Sequence, residues 1–581
     1  MPRERQLPLP RASDLVTTTI TAGGEVLPRQ FQVLSVLVSS EINRIPTARI
    51  TLADGDPASE TFAISESEHF VPGQTIEIQL GYRSEQESVF QGIVVKHSIR
   101  GRTNGGSNLI LECRDAAIRM TLERRSRYFE EMSDSDVAAE LLGDHDIESN
   151  IETTSITHPH LVQYQATDWD FLLSRMEANG LLCTLEAGTL TAAKPGLTGS
   201  PETGLLFGAT LLDFDAEIDA REQATEVTAT GWDAAGQERI EVTSTSTSFT
   251  EPGNLSGDEL AGVLEQGRHN EHSGAVGQEE LQTFSDARLL RHRLAKIRGR
   301  ASCQGHAQVK PAALIDLQGL GARFNGPVFV SGVRHRVSEG SWITDFQFGL
   351  DSRAFSEAFE MDAPPAAGLT PAVCGLQIGV VSQIAGDPLG EHRIQVRLPA
   401  MDGQADGVWA RQATLDAGES RGTFFRPEVD DEVLVGFLND DPRHPVILGM
   451  LHSSAKPPPE EAEEENKLKG YHSREGMKLV FDDDKKSILL ETPNGNKIFI
   501  DDENGAIEIV DESNNKTTFS SDGILLESAS DIQIKASGDI NLEGTNINIK
   551  ASAALKAEGG ASAELSSSGT ATVKGSMVMI N

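Results

Sequence analysis

At 581 residues the chain is too long for one hydrophobic core and suits several domains. A formal net charge of −38 repels phosphate backbones and anionic lipid, which argues against nucleic acid as a partner. Only 5% of residues are aromatic while Gly numbers 54, a composition that favours many short strands and turns. Cys113, Cys183, Cys303 and Cys374 are scattered without a CxxC pair, as expected of buried free thiols in a reducing compartment and not of a disulfide framework or zinc site.

In chain order, "MPRERQLPLPRASD" carries charge and proline but no apolar signal region, and no stretch reaches the roughly 18–20 apolar residues of a membrane span. The expectation is synthesis in the cytoplasm without a classical signal. "VFQGIVVKHSI" (89–99) reads as a strand. "MSDSDVAAELLGDH" (132–145) reads as a helix that Ser133 caps and Gly143 follows. "ATDWDFLLSRMEANGL" (166–181) reads as a second helix, capped by Thr167 or Asp168, with Phe171, Leu172 and Met176 on its apolar face and Gly180 as its stop. His158 and His160 in "THPHLVQY" share one side of a strand and read as a surface pair. His269 and His272 in "RHNEHSG" stand three apart, where helical metal pairs stand at i, i+4. With no third ligand they read as an exposed loop or helix edge. "DLQGLGARFNGPVFVSGVRHRV" (316–337) reads as two strands about a glycine turn.

Residues 374–452 form a compact all-β stretch. Ile394, Val396 and Leu398 alternate with polar residues in "HRIQVRLP", and Val433, Val435 and Phe437 do so in "DEVLVGFL". Five such strands suit a small closed barrel of the OB type. "GESRG" (418–422) satisfies the Gly-x-Ser-x-Gly pattern of a hydrolase elbow around Ser420, but Pro427 and a strand follow it instead of the helix that an elbow requires. It reads as a turn.

"GVVSQIAGDPLGEHRIQVRLP" (379–399), "VWARQAT" (408–414) and "RPEVDDEVLVGFLNDDPRHPVILGML" (426–451) together resemble the barrel of the VgrG and phage-spike family. The departure is Asp430–Asp431, where that family commonly carries Gly-Asp. The strand 89–99, the helix 166–181 and the segment 316–337 extend the resemblance to residues 1–365, and imply a hub of two related β-barrels with helical insertions. The family further implies a homotrimer that joins an Hcp-like inner tube protein and baseplate proteins to a PAAR-repeat tip protein, with effectors as possible cargo and transient contact with a target membrane. "EINRIPTARITLADGDPA" (41–58) resembles the spikes of extracellular injection particles more than those of common type VI systems.

Residues 453–475 read as a Pro- and Glu-rich linker, too short for the lysozyme that some phage spikes carry there. From 476 to 581 the sequence reads as a needle. Longer strands with Asn-Gly and Asp/Asn turns come first, and "DDEN" (501–504) reads as a solvated turn lacking the glycine and terminal Glu of a calcium loop. Apolar pairs then repeat as Ile524/Leu526, Ile532/Ile534, Ile540/Leu542, Ile547/Ile549, Leu555/Ala557, Ala563/Leu565, Ala571/Val573 and Val578/Ile580, with second members 7 or 8 residues apart. One such stripe cannot bury itself, so stacking is required. A single-chain solenoid is one solution. Three intertwined chains are favoured, because they close the core and hide sheet edges.

The fold class is therefore mainly β: a hub of two barrels, an OB-like barrel and a trimeric β-helical needle. Ile532, Ile534, Ile540, Leu542, Ile547, Ile549, Leu565 and Val573 are expected in the needle's trimer core. Met577, Val578, Met579, Ile580 and Asn581 are expected to seat the tip protein. No catalytic residue, metal or cofactor is expected. The rival readings are a hydrolase using Ser420 and a β-helical adhesin fibre.

Overall fold

The computed structural model describes residues 15–580 apart from 84, 103–105, 246, 248, 266, 273–275 and 402–405, and at Glu271 the backbone alone. It divides into two compact units, residues 1–372 with 439–442, and residues 373–438 with 443–581.

The first unit is organised by one 13-stranded sheet. Alternation builds it: in Val33–Glu41 the buried positions include Val36 and Val38, which face Ile50 and Ala48 of the neighbouring strand Thr47–Ala53. The two expected hub halves are continuous, because Gly326–Ser338 pairs antiparallel with Val33–Glu41. Each half wraps its own core. Ile50, Leu52, Ile78, Leu80, Leu109 and Leu111 lie in the first, and Leu205, Ile315, Leu317, Val330, Phe346 and Phe348 in the second.

A helical insertion with a third core interrupts the sheet. Ser133 Oγ accepts the Asp136 N–H at 3.2 Å while Asp136 Oδ2 accepts the Ser133 N–H at 3.1 Å, a reciprocal cap that starts the helix Asp134–Gly143. Thr167 Oγ1 caps Asp168–Ala178 through the Asp170 N–H at 3.1 Å, and Gly180 follows at φ +71°. Phe171, Leu172 and Met176 are buried. Three of the four thiols, Cys113, Cys183 and Cys303, are buried too. Cys374 is exposed, a correction to the uniform burial expected from the sequence.

In the second unit Gln377–Gln383, Ile394–Arg397, Val408–Gln412, Pro445–Met450 and Glu432–Phe437 close a five-stranded barrel. Ile394, Val396, Ala410, Val433, Val435 and Ile447 fill it with no solvent exposure. The Asp-Pro turn is held by one carboxylate. Asp387 binds Arg393 at 2.7 Å and accepts the backbone N–H groups of Leu389, Glu391 and Arg393. The Arg393 hydrogen bonds, helped by those N–H groups, outweigh desolvation and hold the Asp387 carboxyl well below the usual range. Arg426 then ties the same loop down through the carbonyl oxygens of Ile384, His392 and Arg393. Asp430 has φ +70°, a left-handed conformation that favours glycine, which accounts for the Gly-Asp habit at this turn.

After the barrel, seven strands from Leu468–His472 to Gly523–Glu527 form an antiparallel meander. Composition alone assigned Leu468–His472 to the linker; it pairs with Lys478–Asp482 and opens the sheet. Among the described residues no strand is assigned beyond Glu527.

Candidate functional site

The meander has two faces that differ in exposure. Cross-strand register places Leu479, Leu490, Ile498, Ile509, Thr517 and Leu526 in one row, and Phe481, Ile488, Ile500, Ile507, Phe519 and Ile524 in a second row on the same face. Apart from Leu479 and Thr517, these side chains are exposed, Ile498 to 41% and Ile524 to 69%. The opposite face is less exposed: it carries a row of Val480, Leu489 and Phe499 flanked by ion pairs, Lys478 with Glu491 at 2.7 Å and Lys516 with Glu508 at 2.6 Å. Such an exposed apolar face marks an interaction surface.

The stripe expected from the repeat follows this sheet in sequence, beyond its last strand. Ile532, Ile534, Ile540, Leu542, Ile547, Ile549, Leu565 and Val573 are all exposed, and so are Met577, Val578, Met579 and Ile580. Asn581 lies outside the described residues. A single chain therefore brings none of these side chains into a core. The repeat also understated the surface, because its pairs were counted from Ile524 onward. The earlier pairs, such as Ile488/Leu490, Ile498/Ile500 and Ile507/Ile509, carry the same two-residue spacing and could have been read from it.

The polar constellations read from sequence resolve differently. Ser420 sits at φ +55° in the tip of a tight hairpin, Ala417–Gly418 paired with Arg421–Gly422, with no helix behind it. His269 lies in a strand, Arg268–Glu271, and not in a loop or helix edge, because that segment pairs parallel with Val227–Asp233; His272 follows it and donates its backbone N–H to Thr230 O. His158 is buried, a correction to the surface pair, while His160 is exposed. His158 Nε2 stands 3.0 Å from Asp134, which Arg175 Nε (2.6 Å) and Asn179 Nδ2 (2.8 Å) also approach. Asp168 is matched in the same way by Gln163 (2.8 Å), His145 (2.8 Å), Arg127 (2.9 Å) and Arg125 (3.2 Å). Burial alone would raise both carboxyls, but these donors win and hold them below the usual carboxylate range. Both acids occupy first helical turns and are saturated with donors, so they lock the insertion together and have little capacity left for proton transfer. Among the described residues, no cluster of three or more His, Cys, Asp or Glu is placed to hold a metal ion.

A five-stranded barrel, a sheet with an exposed apolar face and an unburied apolar stripe define a β-rich chain with an apolar surface that one chain does not cover. Residues 377–452 match the family described as type VI secretion system/phage-baseplate injector OB domain. Residues 12–339, more than half of the chain, match the family described as Alg8 N-terminal domain, and the chain belongs to that family.

Among curated proteins, the type VI secretion system spike protein VgrG4b of Pseudomonas aeruginosa is 35% identical over 126 residues, covering 20% of this chain and 16% of that protein. The spike protein VgrG1b of the same organism is 26% identical over 249 residues, covering 40% of this chain and 31% of the relative. The chain thus spans less than a third of the length of these relatives. A tail protein from Neisseria meningitidis is similar in structure at 15% identity and a TM-score of 0.45, over 59% of this chain and 99% of that one. Over the matched stretches the chain is similar to VgrG spike proteins, and its barrel to the injector OB domain.

Proposed function

We propose that three copies of this chain assemble into the central spike of a contractile injection system. Residues 1–365 form the hub, 374–452 the neck, 453–467 the linker and 468–581 an intertwined needle. The observation that carries the reading is the exposed apolar face of the meander, whose pairs of apolar residues two apart recur in the repeat that follows. Its rows are as apolar as a core yet lie exposed, and the backbone beyond Glu527 has no strand partner among the described residues. Buried backbone groups must be paired. Three chains wound about one axis would supply both the missing core and the missing ladder.

In this reading the role is mechanical and needs no catalysis. Contraction, powered elsewhere, drives a rod across a target membrane, and the rod resists shear because many backbone hydrogen bonds must break together. The hub joins an Hcp-like tube to the baseplate, and Met577–Ile580 with Asn581 seat a PAAR-repeat tip. The chain is made in the cytoplasm and leaves with the particle. The curated relatives are named type VI spikes, whereas residues 41–58 resemble extracellular particles; recovery of the chain in sheath-bounded particles from culture medium would favour the second.

Electron microscopy of the purified chain tests the assembly. Rods with three-fold averages support it, and compact particles of one chain without a rod refute it. An esterase activity lost in Ser420→Ala would instead favour the hydrolase.

A further inference from the structure

The 13-stranded sheet of the first unit uses one pattern twice. In its first half Glu85–Arg102 pairs with Gly106–Arg114, and one extra residue, Val95, bulges between Val94 and Lys96. In its second half Gly326–Ser338 pairs with Ser341–Phe348, and Ser331 bulges in the same way between Val330 and Gly332. Val33–Glu41 and Leu211–Ile218 correspond too. Each bulges by one residue directly after its first pair, at Leu34 and at Leu212. Bulges at matching places set a residue-by-residue correspondence between the halves. Residues 96–102 correspond to 332–338, and residues 213–217 to 35–39.

Where the halves meet, both elements of the pattern are engaged. The second side of 332–338 pairs antiparallel with Val33–Glu41, setting His335 opposite Val38, Arg336 opposite Leu37 and Ser338 opposite Ser35. At the far ends of the same eight-strand run the corresponding edges are free. Among the described residues 96–102 pair only with Gly106–Arg114, and 213–218 only with Ile297–Gln304. The gap shows at Ile99. It is 53% exposed although Leu109 opposite it is fully buried, whereas the corresponding His335 is 4% exposed. A free edge of this length is a template for another strand.

The register of the inner joint, carried to the free edges, sets Ile99 opposite Ala216, Arg100 opposite Asp215 and Arg102 opposite Asp213. All four charged side chains are exposed. The bulges alone fix this register, so the match of charge is a second, separate observation. Opposite charges facing each other across an antiparallel pair stabilise it, and like charges oppose it.

We propose that residues 96–102 of one copy pair antiparallel with residues 213–218 of the next, with Arg100 against Asp215 and Arg102 against Asp213. Each copy gives one edge and receives the other, the kind of joint that closes a ring. The number of copies rests on the assembly proposed above; the joint rests on the sheet alone.

The test is the full-length chain with Arg100→Cys and Asp215→Cys, and with Cys374→Ser to remove the exposed native thiol. Residues directly opposite in an antiparallel pair have Cα atoms about 4.5–5.5 Å apart, a separation that a disulfide spans. Gentle oxidation should give covalent species of up to three times 62.5 kDa, with positions 100 and 215 of different copies joined in the peptide map. Arg102→Cys with Glu217→Cys lies four residues out of register, about 14 Å apart at the strand rise, and should cross-link at least about tenfold less. Equal cross-linking by the two pairs, or links formed only within one chain, would overturn the joint. Sedimentation of the unoxidised sample separates the two claims. Trimers that yield no link between 100 and 215 would overturn this joint and leave the spike reading standing, and single chains would overturn both.

Discussion

Replacing Ile500 by Asp probes the apolar face at its centre, where Ile500 lies between Ile488 and Ile507 on the adjoining strands. Ile500 is 37% exposed in the single chain. Full burial of an isoleucine is worth about 1.5–3 kcal/mol, so covering the remaining third contributes about 0.5–1 kcal/mol per chain, or about 2–3 kcal/mol per trimer. The introduced charge matters more. Three carboxylates forced into one apolar core cost several kcal/mol each unless they stay in water or take up protons. The sum is comparable with the roughly 12 kcal/mol of a nanomolar complex, so Ile500→Asp should abolish assembly at nanomolar concentration. Glu508→Gln removes an ion pair on the opposite face of the same sheet and should change stability by less than about 1 kcal/mol. Mass photometry at nanomolar concentration counts the species. Trimers retained by Ile500→Asp at the level of Glu508→Gln would refute the assignment of this face to the core.

Asp168→Asn should destabilise the helical insertion by about 3–5 kcal/mol in guanidinium titrations, because it leaves Arg127 and Arg125 without their buried partner. The lowered carboxyls of Asp134 and Asp168 give stability that is present above the ordinary carboxylate range and lost as pH falls through their folded-state values. The unfolding midpoint should therefore fall on acidification below about pH 4, and less steeply in Asp168→Asn. Gly305→Ala should cost about 1–3 kcal/mol in thermal unfolding by driving a methyl group into the Trp342 ring. Asp430→Gly should raise barrel stability by up to about 1 kcal/mol through relief of the left-handed strain; a loss of stability would mean that the side chain matters more than the turn.

The sequence made the barrel legible because alternation and a closely spaced set of turn residues coincide there, down to the unfavourable Asp430. Both insertion helices were legible from their caps, Ser133 and Thr167. The helix Gln278–Leu294 escaped notice although Glu279 and Glu280 open it and Arg291, His292 and Arg293 close it; its mixed polarity leaves only a thin apolar face. His158 was misread because a period of two gives the side of a strand and not what packs against that side. Here Arg175 and Asn179 arrive from another element, a long-range contact that no local pattern carries. The repeat marked the stripe but not its beginning, because upstream of Ile524 the strands are longer and their spacing is less regular.

Sedimentation equilibrium of the intact chain at micromolar concentration tests the central claim most directly. The account predicts a single species at three times 62.5 kDa, with the apolar rows and the repeat buried between chains. A stable species of 62.5 kDa would contradict it, since the exposed face, and the backbone beyond Glu527 that is in no strand among the described residues, would then have no copy of this chain to meet.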